Sequence, residues 1–380
     1  MNANSWLRRW SIVVGAALLL CWFPCGAQEP ATLSAVARTG NQFQFTLVGR
    51  PGARYAIEFS TNLLIWVPLT TNYEASAART IVAFAPGGAG FYRVADVGQP
   101  YFQFALAASD RIQSSSASLS VDSFDSTDPQ ASTDGRYDPA KARDRADVVC
   151  LSGWPDSLNL SNAQIAGTVQ SVPGGTMRLG PQGAVGSKAW LAANTGIEPG
   201  HFMTNLALSL PSVSVPSNVG FTPTGGWITN VTSTNTVAIW YDYVLDDGNY
   251  SLFSLYGSVY VRGRARLYVG SSLELTCVTI ATNQSLDLYC AASSARFVGE
   301  VDGPASSFRF WGLPACLTVS FGSAGSFRGA IYAPNAEVFF RFGGLQGLEY
   351  SGALVARAIW FDARVNFHFD ESLIMTGPAY

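Results

Sequence analysis

Three arginines, Arg262, Arg264 and Arg266, alternate along a short stretch of this 380-residue sequence. On an extended strand, residues two apart project to one face. The spacing therefore predicts a row of guanidiniums able to hold the carboxylates of an acidic polysaccharide. The plainer reading is a solvated face paired with acids from a neighbouring strand, for which Asp242, Asp246 and Asp247 are at hand. A second cluster is acidic: Asp122, Asp125 and Asp128, with Asp134 and Asp138 beyond. Oxygen ligands crowded on a loop are what calcium requires. The spacing is not that of an EF-hand, and Asp and Ser also satisfy turn amides unaided.

Catalytic chemistry finds little support. A glycan hydrolase wants two or three converging carboxylates, and Asp362, Asp370 and Glu371 are the nearest set. Asp370-Glu371 reads better as a polar cap on the last coil of a stacked fold. There are two histidines: His201 lies in a Pro-Gly-His-Phe turn, and His368 alternates with Phe367 and Phe369, which suits a structural imidazole. No Ser or Cys occupies a nucleophile elbow, so a non-enzymatic protein is expected. Trp190, Trp227, Trp240 and Tyr241 lie in or beside loops, where flat rings either stack on sugars or fill cores.

The elements that must position these residues are β-strands. Charged residues make up 13% of the chain, and the rest is rich in Gly, Ser, Thr, Val and aromatics, a composition that favours strands and tight turns. Arg8-Arg9 followed by the apolar run Ser11–Phe23 and the small residues Cys25-Gly26-Ala27 reads as a secretory signal over 1–27, cleaved after Ala27. An extracellular or envelope location is therefore expected, with no transmembrane segment in the mature chain. Of six cysteines, Cys150, Cys277, Cys290 and Cys316 stay after cleavage. They are candidates for disulfides in an exported chain, or for buried core thiols. The net charge of −3 argues against nucleic acid as a partner.

Residues 31–98 carry short alternating runs between turns, the pattern of a small β-sandwich. From about Tyr101 to Leu373 short β pieces are broken by single glycines, and Gly329-Ala330-Ile331-Tyr332-Ala333 is echoed by Gly352-Ala353-Leu354-Val355-Ala356. Such an echo is expected of a coil in which each turn stacks on the next. The predicted fold is all-β: a β-sandwich followed by a right-handed parallel β-helix over 101–373 and a tail over 374–380. A jelly roll is the alternative for the second domain. The segment Ile197–Asn235 does not fit the repeat and is expected to form side loops.

Two resemblances bear on this reading. Tyr55, Ile57, Glu58, Ser60, Thr61, Asn62, Leu63 and Trp66, closed by Phe91-Tyr92-Arg93, resemble immunoglobulin-like or fibronectin-type modules of secreted bacterial proteins. Such modules space or bind. Ser123-Phe124-Asp125-Ser126, Gly135-x-Tyr137, Leu245–Tyr250, Gly329–Ala336 and Asn366–Glu371 together resemble the ordered landmarks of an uncharacterised family of exported bacterial proteins thought to be β-helical. The Gly-Ala-Ile-Tyr-Ala-Pro rung is also faintly similar to bactofilins, which polymerise. These likenesses imply fold and location and supply no activity. The expected role is structural or adhesive, through polysaccharide, cell-surface components or self-assembly. The alternative is a carbohydrate-active β-helix binding or cleaving acidic polysaccharide.

Overall fold

The computed structural model describes residues 101–375, apart from 116–118, 216–219, 232–235 and 344–346, together with most of 32–96. The expected signal over 1–27 and the last five residues of the tail lie outside the described residues.

Between 32 and 96 the chain forms two antiparallel three-stranded sheets. One joins Thr32–Thr39, Gln42–Val48 and Ala78–Phe84, the other Val67–Tyr73, Arg54–Ser60 and Phe91–Asp96. Phe59 is buried and packs on Tyr92, with ring centroids 5.2 Å apart.

From Leu106 to Asp370 the strands join one 22-stranded sheet. Its ladders are parallel except for one hairpin, Thr224–Val231 with Thr236–Leu245. Parallel pairing of successive coils makes the domain a β-solenoid and excludes the jelly roll, which needs antiparallel neighbours. The repeat read from the sequence is a stacking register: Gly329 lies against Gly352, Ala330 against Ala353 and Ile331 against Leu354.

Inward positions form ladders of like side chains. Phe297, Phe321, Phe340 and Phe361 occupy one register column. The Phe321–Phe340 and Phe340–Phe361 rings stack at 4.6 and 4.9 Å. A second column runs Phe327, Tyr350 and Phe367, with Tyr350 and Phe367 4.4 Å apart. Each buried phenyl contributes about 1.5–3 kcal/mol by burial, and stacking adds roughly 0.5–1.5 kcal/mol. One coil cannot collect these terms alone, so the coils are stable only as a stack.

The order of the coils is not the order of the sequence. The first half of Leu348–Phe361 pairs with Val365–Asp370, and its second half with Leu106–Ser114, Leu354 opposite Leu106 and Phe361 opposite Ser114. The beginning and end of the domain therefore share one coil in the middle of the stack. Residues 119–203 continue beyond that coil in one direction and residues 248–361 in the other. Two expectations are corrected by this closure. Asp370-Glu371 is no end cap, because its strand is sandwiched between Leu348–Phe361 and Leu119–Phe124.

Within the expected side loops over Ile197–Asn235, Phe202–Met203 still pairs with Val169–Gln170, and the chain after Met203 is a return path. Leu206 donates its amide to Ser171 O (3.0 Å), Pro211 O accepts from the Tyr332 hydroxyl (2.8 Å), and Phe221 bridges to Tyr250. These contacts lead from one end of the stack past its middle to the other end, where the hairpin begins.

Candidate functional site

The three arginines do not form a row. Gly263 turns the chain between the strands Gly248–Val261 and Arg264–Ile280, and a Cβ there would sit 2.1 Å from Asp247 N. Arg262 thus belongs to the turn, whereas Arg264 and Arg266 share one strand. Arg262 is bidentate on Asp246 at 2.5 and 3.1 Å, and Asp247 accepts from the Arg264 backbone amide at 2.6 Å. The Arg262 guanidinium holds the Asp246 carboxyl below its usual range. The same coil-to-coil pairing recurs in Arg309–Asp287, Arg341–Asp362, Arg328–Asp302 and Arg357–Glu337. The outer wall is laced by ion pairs between adjacent coils, most of them exposed and each worth about 0–1 kcal/mol.

Asp122, Asp125 and Asp128 do not converge, and among the described residues no group of three His, Cys, Asp or Glu side chains has the geometry to hold a metal ion. Asp125 accepts from the Thr127 amide and hydroxyl, at 2.9 and 2.6 Å. Asp128 pairs with Arg143. Asp122 belongs to a different cluster, in which His368 Nδ1 lies 2.6 Å from Asp122 Oδ1 and Nε2 lies 3.0 Å from Glu349 Oε2. Tyr137 stacks on the imidazole at 3.5 Å and donates its hydroxyl to Asp122 (2.6 Å). Each of the three carboxylates is engaged by a different protein donor.

Burial alone lowers the His368 pKa, but hydrogen bonds and charge from Asp122 and Glu349 outweigh it, and the net direction is upward from 6.5. Glu349 is held below its ordinary value by its hydrogen bond to His368. A raised imidazole contributes stability that is complete below pH 6.5 and disappears as pH rises through the folded-state value. Wild type should therefore lose roughly 1–3 kcal/mol more than His368→Gln as pH rises across that window. Denaturant midpoints between acidic and alkaline pH check this, and parallel curves for the two proteins would disprove it.

The four cysteines are free thiols; Cys150, Cys290 and Cys316 are buried and Cys277 is half-buried. Of the two readings open for these cysteines, the described arrangement is that of thiols in or beside the core. Cys150 bonds to Asp110 O at 3.4 Å and Cys277 lies 3.8 Å from Thr279 Oγ1. Cys290 and Cys316 stand side by side, and that contact together with burial holds the Cys316 thiol well above its usual range.

The expected aromatic candidates separate. Trp227 and Trp240 form an exposed edge-to-face pair on the end hairpin, whereas Tyr241 is buried and bonds to Thr279. The wall carries a further set that the sequence reading did not single out. Outward residues Ser320, Phe339, Trp360, Gln113 and Asn159 occupy one register column across successive coils. Beside this column the turn 152–157 raises Trp154, which is 76% exposed. Trp154, Trp360, Asp110, Arg111, Gln113 and Asp156 line a cleft of about 260 Å³. Its floor is the seam at which the coil 348–361 meets the strand 106–114. The sequence signal was the turn Gly153-Trp154-Pro155-Asp156, which sets a tryptophan between two turn formers outside any alternating run.

These features define a parallel β-solenoid domain with a polar, ion-paired wall. Residues 234–376 match the model of a family described as a domain of unknown function, DUF7305. No curated protein and no solved structure matches the chain. The matched segment holds the coils on one side of the seam and stops short of those built by 106–203, so Trp360 lies within it and Trp154 outside.

Proposed function

We propose that this chain is an exported, non-enzymatic structural protein that presents a rigid β-solenoid at the cell envelope for adhesion. The observation that carries the reading is the ring closure of the stack, in which strands nearly 250 residues apart in sequence pair in register (Leu354 with Leu106). A coil locked in this way resists local opening better than one closed only by its neighbours, as a surface spacer requires. The carboxylates with the best claim to hydrolysis are engaged in structure. Asp362 pairs with Arg341, Glu371 accepts from Ser123 at 2.9 Å, and Asp370 accepts from the Ser126 amide at 3.1 Å. Burial raises the Asp370 pKa, but its carboxyl is fully buried against Ser126 and Ser372 and faces no open groove. Within this reading residues 1–27 direct export and 31–98 act as a spacer.

The test is retention of residues 28–380 on immobilised polysaccharides and on bacterial cell surfaces, with released reducing ends assayed in the same wells. Retention without release is expected, and a chelator should leave it unchanged because Asp122, Asp125 and Asp128 are occupied by protein donors. Release of reducing ends would replace the adhesive reading with an enzymatic one.

A further inference from the structure

We propose that the cleft at the seam binds a hexopyranose unit of a neutral glycan, with Trp154 and Trp360 supplying its apolar walls. This rests on the adhesive reading and names its ligand class. The first reason is that Trp154 contributes little to the core. It is 76% exposed, yet the turn that carries it is braced: Ser157 N donates to Trp154 O at 3.2 Å, Trp154 N donates to Ser152 Oγ at 3.3 Å, and Ser157 Oγ donates to Ser152 O. A large apolar ring held in water by a fixed turn is preorganised for a partner.

The second reason is the state of Trp360. Its indole N–H is buried and finds no acceptor among the described residues, while the Arg111 guanidinium lies over its ring at 5.9 Å. A buried donor without an acceptor is costly; a hydroxyl reaching the edge of the indole would supply one, while the ring face now under Arg111 is free to stack on a sugar once the guanidinium swings aside. That a flat polar group already lies over this ring shows that the face accommodates such a group.

The third reason is the polar lining. Asp110 and Asp156 offer carboxylate acceptors to paired hydroxyls. Gln113 donates to Asp156 O at 2.7 Å through its nitrogen, so its carbonyl oxygen is turned to other partners. Aromatic walls with a few placed polar groups are the usual make-up of a small-ligand site. Asp110 is shared by Arg111 (3.4 Å) and Arg357 (3.7 Å), so the negative edge of the lining is Asp156, which disfavours uronic acids and selects a neutral sugar. The register column continues from Gln113 to Asn159 on the next coil. Coils recur every ~4.8 Å, a distance comparable to one sugar residue, so a linear chain can follow the wall.

Calorimetric titration of residues 28–380 with cellohexaose, mannohexaose and chitohexaose, and with a galacturonic acid hexamer, tests this. At least one neutral hexasaccharide is expected to bind, and the acidic one at least roughly tenfold more weakly, equivalent to about 1.4 kcal/mol. Trp154→Ala should weaken the neutral ligand by a similar factor with an unchanged melting curve. Phe253→Ala, at an equally exposed aromatic on a terminal coil, should leave it unchanged. Binding by none of the neutral sugars, a preference for the acidic hexamer, or indifference to Trp154→Ala would each overturn the assignment. If Trp154→Ala still adheres to cell surfaces, the cleft assignment falls and adhesion stands. If the wild type binds the free sugar but no surface, the adhesive reading falls and the cleft stands.

Discussion

Gly352→Ala is expected to destabilise the solenoid by about 3–5 kcal/mol, enough to remove much of the stability of an ordinary domain. Gly352 has φ +149°, a conformation that L side chains rarely adopt, and a Cβ there would lie 1.8 Å from Gly329 O on the preceding coil. Two costs add at this position: backbone strain of about 1–3 kcal/mol and a collision that only separation of the coils relieves. Gly248 divides them, because its φ is +143° but nothing lies within 4 Å of its Cβ position. Gly248→Ala should therefore show the backbone cost alone. Chemical denaturation of both variants checks the argument, and equal losses would mean that the close approach of Gly352 to Gly329 contributes nothing.

That contact also shows what was legible in the sequence. The echo of Gly329-Ala330-Ile331 in Gly352-Ala353-Leu354 is local, and it is the actual stacking register. The alternation around His368 likewise marked an imidazole set apart from the phenyl ladder, and it sits between Asp122 and Glu349. What could not be read was the order of the stack. A parallel ladder between Leu348–Phe361 and Leu106–Ser114 leaves no signature in either strand, because each reads simply as a buried β run. Two misplacements followed from that one. Asp370-Glu371 looked terminal because it is terminal in sequence. Ile197–Asn235 looked like loops because its task is to lead the chain from one end of the stack to the other. The arginine row failed for a more local reason, since a period of two says nothing about Gly263 ending the strand between Arg262 and Arg264. The cleft at Trp154 and Trp360 was out of reach because its two indoles come from opposite sides of the seam.

Asp287→Ala should cost roughly 3–5 kcal/mol, because it leaves a largely buried charge without its partner. Asp287 accepts from Arg309 through both oxygens, at 2.6 and 2.7 Å, and from the Trp311 indole N–H at 2.9 Å. The side chains of Arg309 and Asp287 are only 15% and 5% exposed, unlike the other arginine pairs that join the coils. The difference arises from what covers them. Trp311 points outward but lies beneath Tyr101 and Phe102, at 5.3 and 5.5 Å, where the chain enters the solenoid. Water is thereby excluded from a wall that elsewhere it wets. Replacing both partners, as in Asp287→Leu with Arg309→Leu, removes the stranded charge and should recover more than half of the loss. The remainder is the indole N–H without its acceptor, about 1–3 kcal/mol. Asp287→Asn keeps an acceptor for Trp311 and should fall between wild type and Asp287→Ala. A double-mutant cycle on denaturant midpoints separates these contributions. If the double variant is no more stable than Asp287→Ala, the cost lies in the indole hydrogen bond and packing beneath Tyr101, and the ion pair holds nothing of its own.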